Sequence, residues 1–362
     1  MSLLDRLGRN LLFALDPETA HGLSIKALKC GVLPSAPPLS DQRLRVSLCG
    51  LDFPNPLGMA AGFDKNAEVP DALLRLGFGF AEVGTVTPLA QPGNPKPRIF
   101  RLTEDEAVIN RLGFNNEGHA PFGQRLVARS GRPGIVGINI GANKDSADRI
   151  ADYELGVTRF ARYASYLTVN ISSPNTPGLR DMQARESLAE LLARAVTARD
   201  AAAEGQPKKT PVFLKIAPDL HEADLEDIAA EVSEKLIEGV IVSNTTIGRP
   251  RLASTAHAGE TGGLSGKPLF QRSTAVLARM RKLLGPERAI VGVGGVDSAE
   301  TALEKIRAGA DLVQLYTGMI YAGPSLPRRI VGGLSRLAAQ EGVSSLSELR
   351  DTRLAHWVDQ KL

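Results

Sequence analysis

Eight short apolar runs recur along the chain, and each is followed by polar or glycine-rich residues. The runs occupy residues 57–64, 80–87, 135–141, 166–173, 212–218, 240–246, 289–296 and 312–318. Each has the length of a strand and is apolar on both faces, which is typical of a strand buried in a parallel sheet. Segments able to form helices separate most of the runs. Eight such units predict a (β/α)8 barrel, a fold whose active site lies at the carboxyl ends of its strands.

The overall composition argues against several kinds of protein. A net charge of +3 is too small to indicate a nucleic-acid partner. The two cysteines, Cys30 and Cys49, do not make a disulfide scaffold and indicate a reducing compartment. The five histidines show no metal-ligand spacing, so no metal is expected. No run approaches the roughly twenty apolar residues of a membrane-spanning helix, and the amino terminus lacks the pattern of a secretory signal.

Residues 1–40 fall outside the barrel rhythm and predict a small helical extension. A leucine stripe over residues 3–15 indicates one amphipathic helix. Asp16, Pro17 and Glu18 then indicate the capped start of a second helix, which ends at Gly31. The proline-rich residues 34–38 predict a linker into a catalytic domain over residues 41–362. The two helices could be a cap packed on the barrel, an interfacial membrane patch, or an entrance for an apolar partner.

The remaining segments predict features around the barrel. Residues 41–56 indicate a hairpin that could plug its base, residues 247–263 a loop, and residues 325–362 closing helices. The longest insertion, residues 88–133, contains Asn110, Asn115 and Asn116, and ordered loops of this length are usually functional. These amides could recognise a neutral heterocycle, or they could only satisfy the backbone of turns.

Glycines at the ends of the last two strands predict a phosphate site. Gly292, Gly294 and Gly295 end the seventh run, and Tyr316 and Thr317 lie near the end of the eighth. Barrels commonly bind phosphate in the loops after these two strands, where backbone N–H groups point at the anion. A phosphorylated cofactor is therefore expected.

Two lysines and a serine loop add candidate chemistry. Lys65 and Lys215 follow the first and fifth runs, where an ammonium group is costly unless it meets negative charge. They could face a flavin and a substrate carboxylate, or one could form a Schiff base. Ser173 lies in a proline-stiffened loop after the fourth run, without a nucleophile elbow or a nearby histidine. It could form a turn or relay a proton.

Together these motifs closely resemble the membrane-associated, quinone-dependent (class 2) dihydroorotate dehydrogenases. The resemblance runs through residues 55–65 (NPLGMAAGFDK), 109–116 (INRLGFNN), 169–180 (VNISSPNTPGLR), 243–246 (SNTT), 262–266 (GGLSG) and 292–295 (GVGG). These segments span almost the whole chain in the expected order. One departure is Ser243, where many relatives carry threonine; the hydroxyl is kept.

The resemblance implies one FMN per chain, oxidation of (S)-dihydroorotate to orotate in the synthesis of the pyrimidine nucleotide UMP, and a membrane quinone as electron acceptor. The implied catalytic base is Ser173. The implied FMN contacts are Ala61, Gly62, Phe63, Asp64, Lys65, Thr85, Asn139, Asn170, Lys215, Ser243, Gly266, Gly295, Tyr316 and Thr317. The implied substrate contacts are Lys65, Asn110, Arg111, Leu112, Gly113, Phe114, Asn170, Asn175, Asn244 and Thr245.

The resemblance is to class 2 and not class 1, because of the residue at the position of the catalytic base and because of the amino-terminal extension. Soluble class 1 relatives use cysteine as the base and lack the extension, whereas here the matched loop carries Ser173 and both cysteines precede residue 50. His21 and Arg101 match residues near the quinone tunnel of the family. The resemblance therefore implies a monomeric peripheral protein that contacts the lipid bilayer through its amino-terminal helices, on the cytoplasmic face of the inner membrane.

Overall fold

The computed structural model describes residues 3–32 and 39–362, and its centre is a closed barrel of eight parallel strands. In chain order the barrel strands are β3 (Leu57–Met59), β4 (Phe80–Val86), β7 (Ile135–Ile140), β8 (Tyr166–Asn170), β9 (Val212–Ile216), β10 (Gly239–Val242), β12 (Ala289–Val293) and β13 (Leu312–Leu315). Strand β13 pairs with β3 and closes the ring. All eight predicted strands are confirmed. Each ends before its apolar run does, and the leftover residues form the loops at the carboxyl ends.

Helices surround the barrel and bury their apolar faces against the strands. They are α3 (Pro70–Arg75), α4 (His119–Arg129), α5 (Arg149–Phe160), α6 (Arg185–Ala202), α7 (Glu222–Glu234), α8 (Phe270–Leu284), α9 (Ala299–Arg307), α10 (Thr317–Ala322), α11 (Leu326–Gln340) and α12 (Leu354–Val358). Short 3-10 helices cover Gln42–Leu44, Ala161–Tyr163, Arg180–Gln183, Lys267–Leu269 and Leu346–Leu349. The predicted closing helices are confirmed as α11, the last 3-10 helix and α12.

The base of the barrel is filled by aromatic side chains and plugged by a hairpin. Strands β1 (Val46–Leu48) and β2 (Leu51–Phe53) pair antiparallel, as predicted for residues 41–56. The Phe53 ring packs edge-on against Phe80, with 5.2 Å between ring centroids. Tyr166 and Phe213 belong to the same buried cluster. In the described residues the lower barrel is thus filled by side chains, and the open end lies at the carboxyl ends of the strands.

A three-stranded antiparallel sheet beside the barrel mouth was not predicted. Strands β5 (Ile99–Leu102) and β6 (Ala107–Asn110) lie in the long insertion, and β11 (Gly263–Gly266) pairs with β6 from the far side of the sequence. Gly263 is opposite Asn110 in this register. The prediction of a loop over residues 247–263 is therefore wrong at its last residue. Strand β11 is short and pairs with a strand about 150 residues earlier in the chain, so its own sequence gives no local signal of that pairing.

The amino-terminal extension forms two helices, α1 (Leu3–Phe13) and α2 (Pro17–Lys29). Asp16 caps α2 as predicted, because its Oδ1 accepts hydrogen bonds from the backbone N–H groups of Glu18 and Thr19. Leu11 and Leu23 are 70% and 43% exposed. Within the described ranges no helix is long and apolar enough to cross a membrane. The predicted linker at residues 34–38 lies outside the described residues.

A buried arginine joins α8 to the last two barrel strands. Arg281 is 1% exposed, and its Nη2 lies 2.6 Å from the Asp311 carboxylate, which is 5% exposed. Its remaining N–H groups donate to the backbone oxygens of Gly285, Arg288 and Gly309 at 2.7–2.8 Å. Removal of Arg281 would leave three buried carbonyls without this donor, while the Asp311 carboxylate would keep Arg350 and the Ile290 backbone N–H as partners.

We expect Arg281→Met to lower the free energy of unfolding by about 3 kcal/mol or more, because it leaves three buried carbonyls without their donor, at about 1–3 kcal/mol each. Arg194 is the control, since its ion pairs with Asp148, Glu154 and Glu190 are exposed. Arg194→Met should cost less than about 1 kcal/mol. Urea unfolding of the apoproteins measures both values, and equal losses would contradict the role of Arg281.

Candidate active site

One cavity of about 780 Å³ opens at the carboxyl ends of the barrel strands and continues between α1 and α2. Most of the predicted site residues line it. They are Ala61, Gly62, Phe63, Lys65, Thr85, Asn110, Leu112, Gly113, Phe114, Asn170, Ser173, Asn175, Lys215, Ser243, Asn244, Thr245, Gly266, Gly295, Tyr316 and Thr317. The barrel therefore gathers residues from seven of its eight strand ends into one space, with β7 as the exception.

Three predicted site residues do not line this cavity. The Asp64 carboxylate instead accepts hydrogen bonds from the backbone N–H groups of residues 68 and 69, at 2.8 and 2.7 Å. Asn139 lies beneath the cavity floor, fully buried. The Arg111 guanidinium forms an ion pair with Glu260 at 2.7 Å and lies over the Phe100 ring. Each of these three side chains bonds to protein groups behind the cavity wall and does not face the cavity.

Two ammonium groups reach the cavity without a partner. Neither Lys65 nor Lys215 makes a hydrogen bond or ion pair with any residue of the described ranges, and both line the cavity. Burial lowers the pKa of Lys65 to about 8. Burial also lowers the pKa of Lys215, while the charge of Glu82 acts in the opposite direction. Two unpaired cations in one cavity fit anionic or electron-rich ligands.

A continuous line of hydrogen bonds runs beneath the cavity from a buried carboxylate. Glu82 is inaccessible to solvent, and its Oε1 accepts from Asn139 Nδ2 at 2.7 Å. Asn139 Oδ1 accepts from the Thr85 hydroxyl at 2.6 Å and from Asn170 Nδ2 at 3.0 Å. Asn170 Oδ1 in turn accepts from the Ser172 hydroxyl at 2.8 Å. Every side-chain amide in the line therefore has a fixed orientation.

Two more donors complete the surroundings of Glu82. The Tyr166 hydroxyl and Gln314 Nε2 donate to Glu82 Oε2 at 3.0 and 2.8 Å. At the other end of the line, Asn244 Nδ2 donates to the Ser172 hydroxyl at 3.0 Å. The polar floor of the site is thus continuous from the barrel interior to the loop after β10.

Ser173 lies on the cavity wall, and its side chain is held by the local backbone. It is 5% exposed, and its Oγ accepts a hydrogen bond from the Asn175 backbone N–H at 3.2 Å. Asn175 Nδ2 reaches Asn110 Oδ1 at 3.5 Å. No charged side chain in the described residues is hydrogen-bonded to the hydroxyl, so its chemistry depends on position.

Glycines after β12 form the predicted phosphate end of the cavity. The backbone N–H groups of Gly294 and Gly295 make no hydrogen bond to a described residue, and both glycines line the cavity. Thr317 begins α10 nearby, and its hydroxyl donates to Ser265 Oγ at 2.9 Å. Unpartnered backbone donors at a strand end suit a phosphate.

The opposite end of the cavity is apolar and passes beside the extension. His21 packs edge-on against Phe63, with 5.2 Å between ring centroids, and its Nδ1 lies 3.4 Å from the Tyr316 hydroxyl. Burial, with Lys65 acting in the same direction, lowers the pKa of His21 to about 3, so the ring is neutral. Arg101 donates to backbone oxygens at the end of α1 and lies 4.6 Å from the Phe13 ring centroid.

Comparison with known proteins decides the family. Residues 43–337 match the family described as Dihydroorotate dehydrogenase. The chain belongs to the dihydroorotate dehydrogenase family. It is 75% identical over 362 residues to "Dihydroorotate dehydrogenase (quinone)" of Mesorhizobium japonicum, with 100% of both chains covered. It is 65% identical to the protein of that name from Rhizobium rhizogenes, with 98% of both chains covered.

Solved structures agree with this assignment. The ligand-free DHODH of Eimeria tenella is 42% identical to this chain, with a TM-score of 0.89, covering 93% of this chain and 99% of that one. The class 2 resemblance stated from the motifs is therefore confirmed at the level of the family and of its quinone-dependent members.

Several residues that shape this dihydroorotate dehydrogenase site were missed from the sequence. Glu82 is the one charged residue of its apolar run and Gln314 is the one amide of its run, and those interruptions were an available signal. Asn94 and Arg98 precede β5, and their hydrogen bonds connect segments distant in sequence. No spacing could have indicated those contacts.

We expect Glu82→Leu to lower the free energy of unfolding by about 3 kcal/mol or more. It leaves three buried donors without an acceptor, at about 1–3 kcal/mol each. Glu82→Gln should cost about 1 kcal/mol, because Gln314 Oε1 has no partner and that amide can reverse. Denaturant unfolding measures both. Equal losses would show that the charge, and not the acceptor, is what matters.

Proposed function

We propose that this chain oxidises (S)-dihydroorotate to orotate at the barrel mouth, with FMN as cofactor and a membrane quinone as electron acceptor, in pyrimidine synthesis. One observation carries the proposal. A single cavity joins the polar, lysine-bearing barrel mouth to an apolar passage beside α1 and α2. A charged substrate and an apolar acceptor can therefore both reach the same cofactor.

The residues present fit one FMN per chain. Gly294, Gly295 and Thr317 would hold its phosphate, since two of them offer unpartnered backbone donors. The Lys215 ammonium, unpaired and buried, would face the ring. The other implied contacts would surround the space between the phosphate end and Lys215, or support it from below. They are residues 61–65, Thr85, Asn139, Asn170, Ser243, Gly266 and Tyr316. When bound, FMN supplies the acceptor for the two electrons that leave the substrate.

The substrate end offers the groups that a carboxylated pyrimidine ring requires. The unpaired Lys65 ammonium suits the carboxylate, and the amides of Asn110, Asn175 and Asn244 suit the carbonyl and N–H edges of the ring. Asn175 Nδ2 lies 3.5 Å from Asn110 Oδ1, so the two amides stand side by side on the cavity wall. Arg111 and Leu112 would act through the backbone that holds this loop, since the Arg111 side chain points to Glu260.

Ser173 is the proposed base that takes the proton from C5 of dihydroorotate. Its Oγ accepts from the Asn175 backbone N–H, which fixes the hydroxyl on the cavity wall. As Oγ takes the proton from C5, its own hydroxyl proton would pass to water in the cavity. A serine without a charged partner is a weak base, and positioning must supply most of its effect. The surrounding amides and the Lys65 charge can stabilise enolate character as the proton leaves.

We expect Ser173→Ala to keep the yellow FMN spectrum and to lower the rate of flavin reduction by dihydroorotate by about 100-fold or more, the usual contribution of a positioned base. Stopped-flow absorbance under anaerobic conditions measures this rate. Oxidation of the chemically reduced variant by a short-chain quinone serves as the control and should be unchanged. Near-normal reduction by dihydroorotate would exclude Ser173 as the base.

The amino-terminal helices are proposed to rest on the membrane and admit the quinone. Leu11, Leu23 and Val32 are 70%, 43% and 69% exposed, and all three lie on or just after the two helices that flank the apolar passage. The neutral His21 ring and the Phe63 ring keep the passage apolar. We infer a monomeric peripheral protein on the cytoplasmic face of the inner membrane. A purely structural cap would instead bury these leucines.

We expect Leu11→Glu combined with Leu23→Glu to weaken binding to anionic vesicles by about tenfold or more, since each leucine that the bilayer covers would contribute about 1.5–3 kcal/mol. Flavin reduction by dihydroorotate should be unchanged. Leu155→Glu with Leu283→Glu is the matched control, because these leucines are 50% and 41% exposed on barrel helices. Vesicle co-sedimentation measures binding, and equal effects of both pairs would refute the membrane face.

A further inference from the structure

Two loops cover the substrate end of the cavity, and one side chain connects them. The β6 loop comprises residues 111–118, and the β8 loop comprises residues 171–179 and carries Ser173. We propose that Asn94 is a positioning residue that holds these loops together, and that Arg98 anchors it to helix α2. The inference rests on the proposed function for its catalytic consequence, but the contacts themselves do not.

The side chain of Asn94 uses both of its N–H groups on backbone oxygens of different loops. Asn94 Nδ2 donates to the Arg111 oxygen at 3.0 Å and to the Asn175 oxygen at 3.1 Å. Its backbone N–H donates to the Leu112 oxygen, also at 3.0 Å. Since the N–H of Asn175 is bonded to Ser173 Oγ, the bridge acts on the same residue that holds the catalytic hydroxyl.

Two glycines make this close approach possible. Gly93 has φ +77°, and a Cβ there would lie 2.2 Å from the Leu112 oxygen and 2.8 Å from Arg98 Nη1. Gly113 has φ +72°, and a Cβ there would lie 2.8 Å from Asn94 Nδ2. Any larger residue at either position would push the loops away from the amide.

A buried ion pair fixes the bridge to the amino-terminal extension. Arg98 is 6% exposed and donates from Nη1 to the oxygens of Pro92 and Asn94, both at 2.7 Å. Its Nε and Nη2 bind the Glu18 carboxylate at 3.0 and 2.6 Å. This guanidinium holds the pKa of Glu18 below its ordinary value. Helix α2, which carries His21 on the cavity, is thereby joined to the loop that carries Ser173.

The bridge sets where the groups on the two loops stand relative to each other. Asn110 directly precedes the β6 loop, and its Oδ1 lies 3.5 Å from Asn175 Nδ2. The Asn175 backbone N–H in turn donates to Ser173 Oγ. Proton abstraction depends steeply on such spacing, and a displacement of about 1 Å can cost about 100-fold in rate. Loss of the bridge should therefore lower the rate of the chemical step more than it weakens substrate binding.

The test compares Asn94→Asp and Asn94→Ala with Gln91→Ala in the holoenzyme. Asn94→Asp keeps the shape but removes both donors. Gln91 is the matched control, because its Nε2 donates to the Gly113 and Phe114 oxygens of the β6 loop and not to the β8 loop. Stopped-flow reduction by dihydroorotate gives the maximal rate and the half-saturating concentration. Quinone oxidation of the reduced enzyme tests the other half-reaction.

We expect both Asn94 variants to lose about 10- to 100-fold in the maximal rate of flavin reduction, with little change in quinone oxidation. Gln91→Ala should stay within about threefold of the wild type. An Asn94→Asp variant that is reduced at the wild-type rate would overturn the proposal, as would an equal loss in Gln91→Ala.

A second readout does not depend on turnover. Arg180 follows the β8 loop, and its Nε donates to the Ser172 oxygen at 3.1 Å. Tryptic cleavage after Arg180, followed by mass spectrometry, should be faster in Asn94→Asp and in Glu18→Gln than in the wild type and in Gln91→Ala. Unchanged cleavage would overturn the bridge. A wild type that dihydroorotate does not reduce would refute the proposed function while leaving this cleavage test intact.

Discussion

The buried Glu82 carboxylate is the constraint on which the rest of the site depends. A carboxylate only accepts hydrogen bonds, so Asn139 must turn its amide N–H toward it and its oxygen toward Thr85 and Asn170. The orientation passes along the line to Ser172. One acceptor side chain at the barrel centre therefore decides which atoms the floor of the cavity presents above it.

The cavity depends equally on the extension that precedes the barrel. Helices α1 and α2 complete one wall, and the Glu18–Arg98 ion pair ties α2 to the segment before β5. The apolar passage and the polar barrel mouth are thus parts of one connected structure. This arrangement suits an enzyme whose two half-reactions use a charged substrate and an apolar acceptor at one cofactor.

Much of this could be predicted from the sequence, because the signals are local. The eight strands follow from short apolar runs, and the capping of α2 follows from Asp16 and Pro17. Most site residues follow from polar positions at strand ends, since the carboxyl ends of parallel strands meet at one edge. Lys65 and Lys215 were expected to need negative charge, and both reach the cavity without a hydrogen bond or ion pair to residues 3–32 or 39–362.

The sequence by itself determined the barrel, its active end and the family. The repeat of apolar runs and the continuous motifs can be recognised from residues that are neighbours in the chain. Only the tertiary structure decided that β11 pairs with β6, that Arg111 points away from the cavity, and that Asn94 bridges to Asn175. These contacts join residues that the chain keeps far apart. Their energies depend on distances that exist only after the barrel has closed.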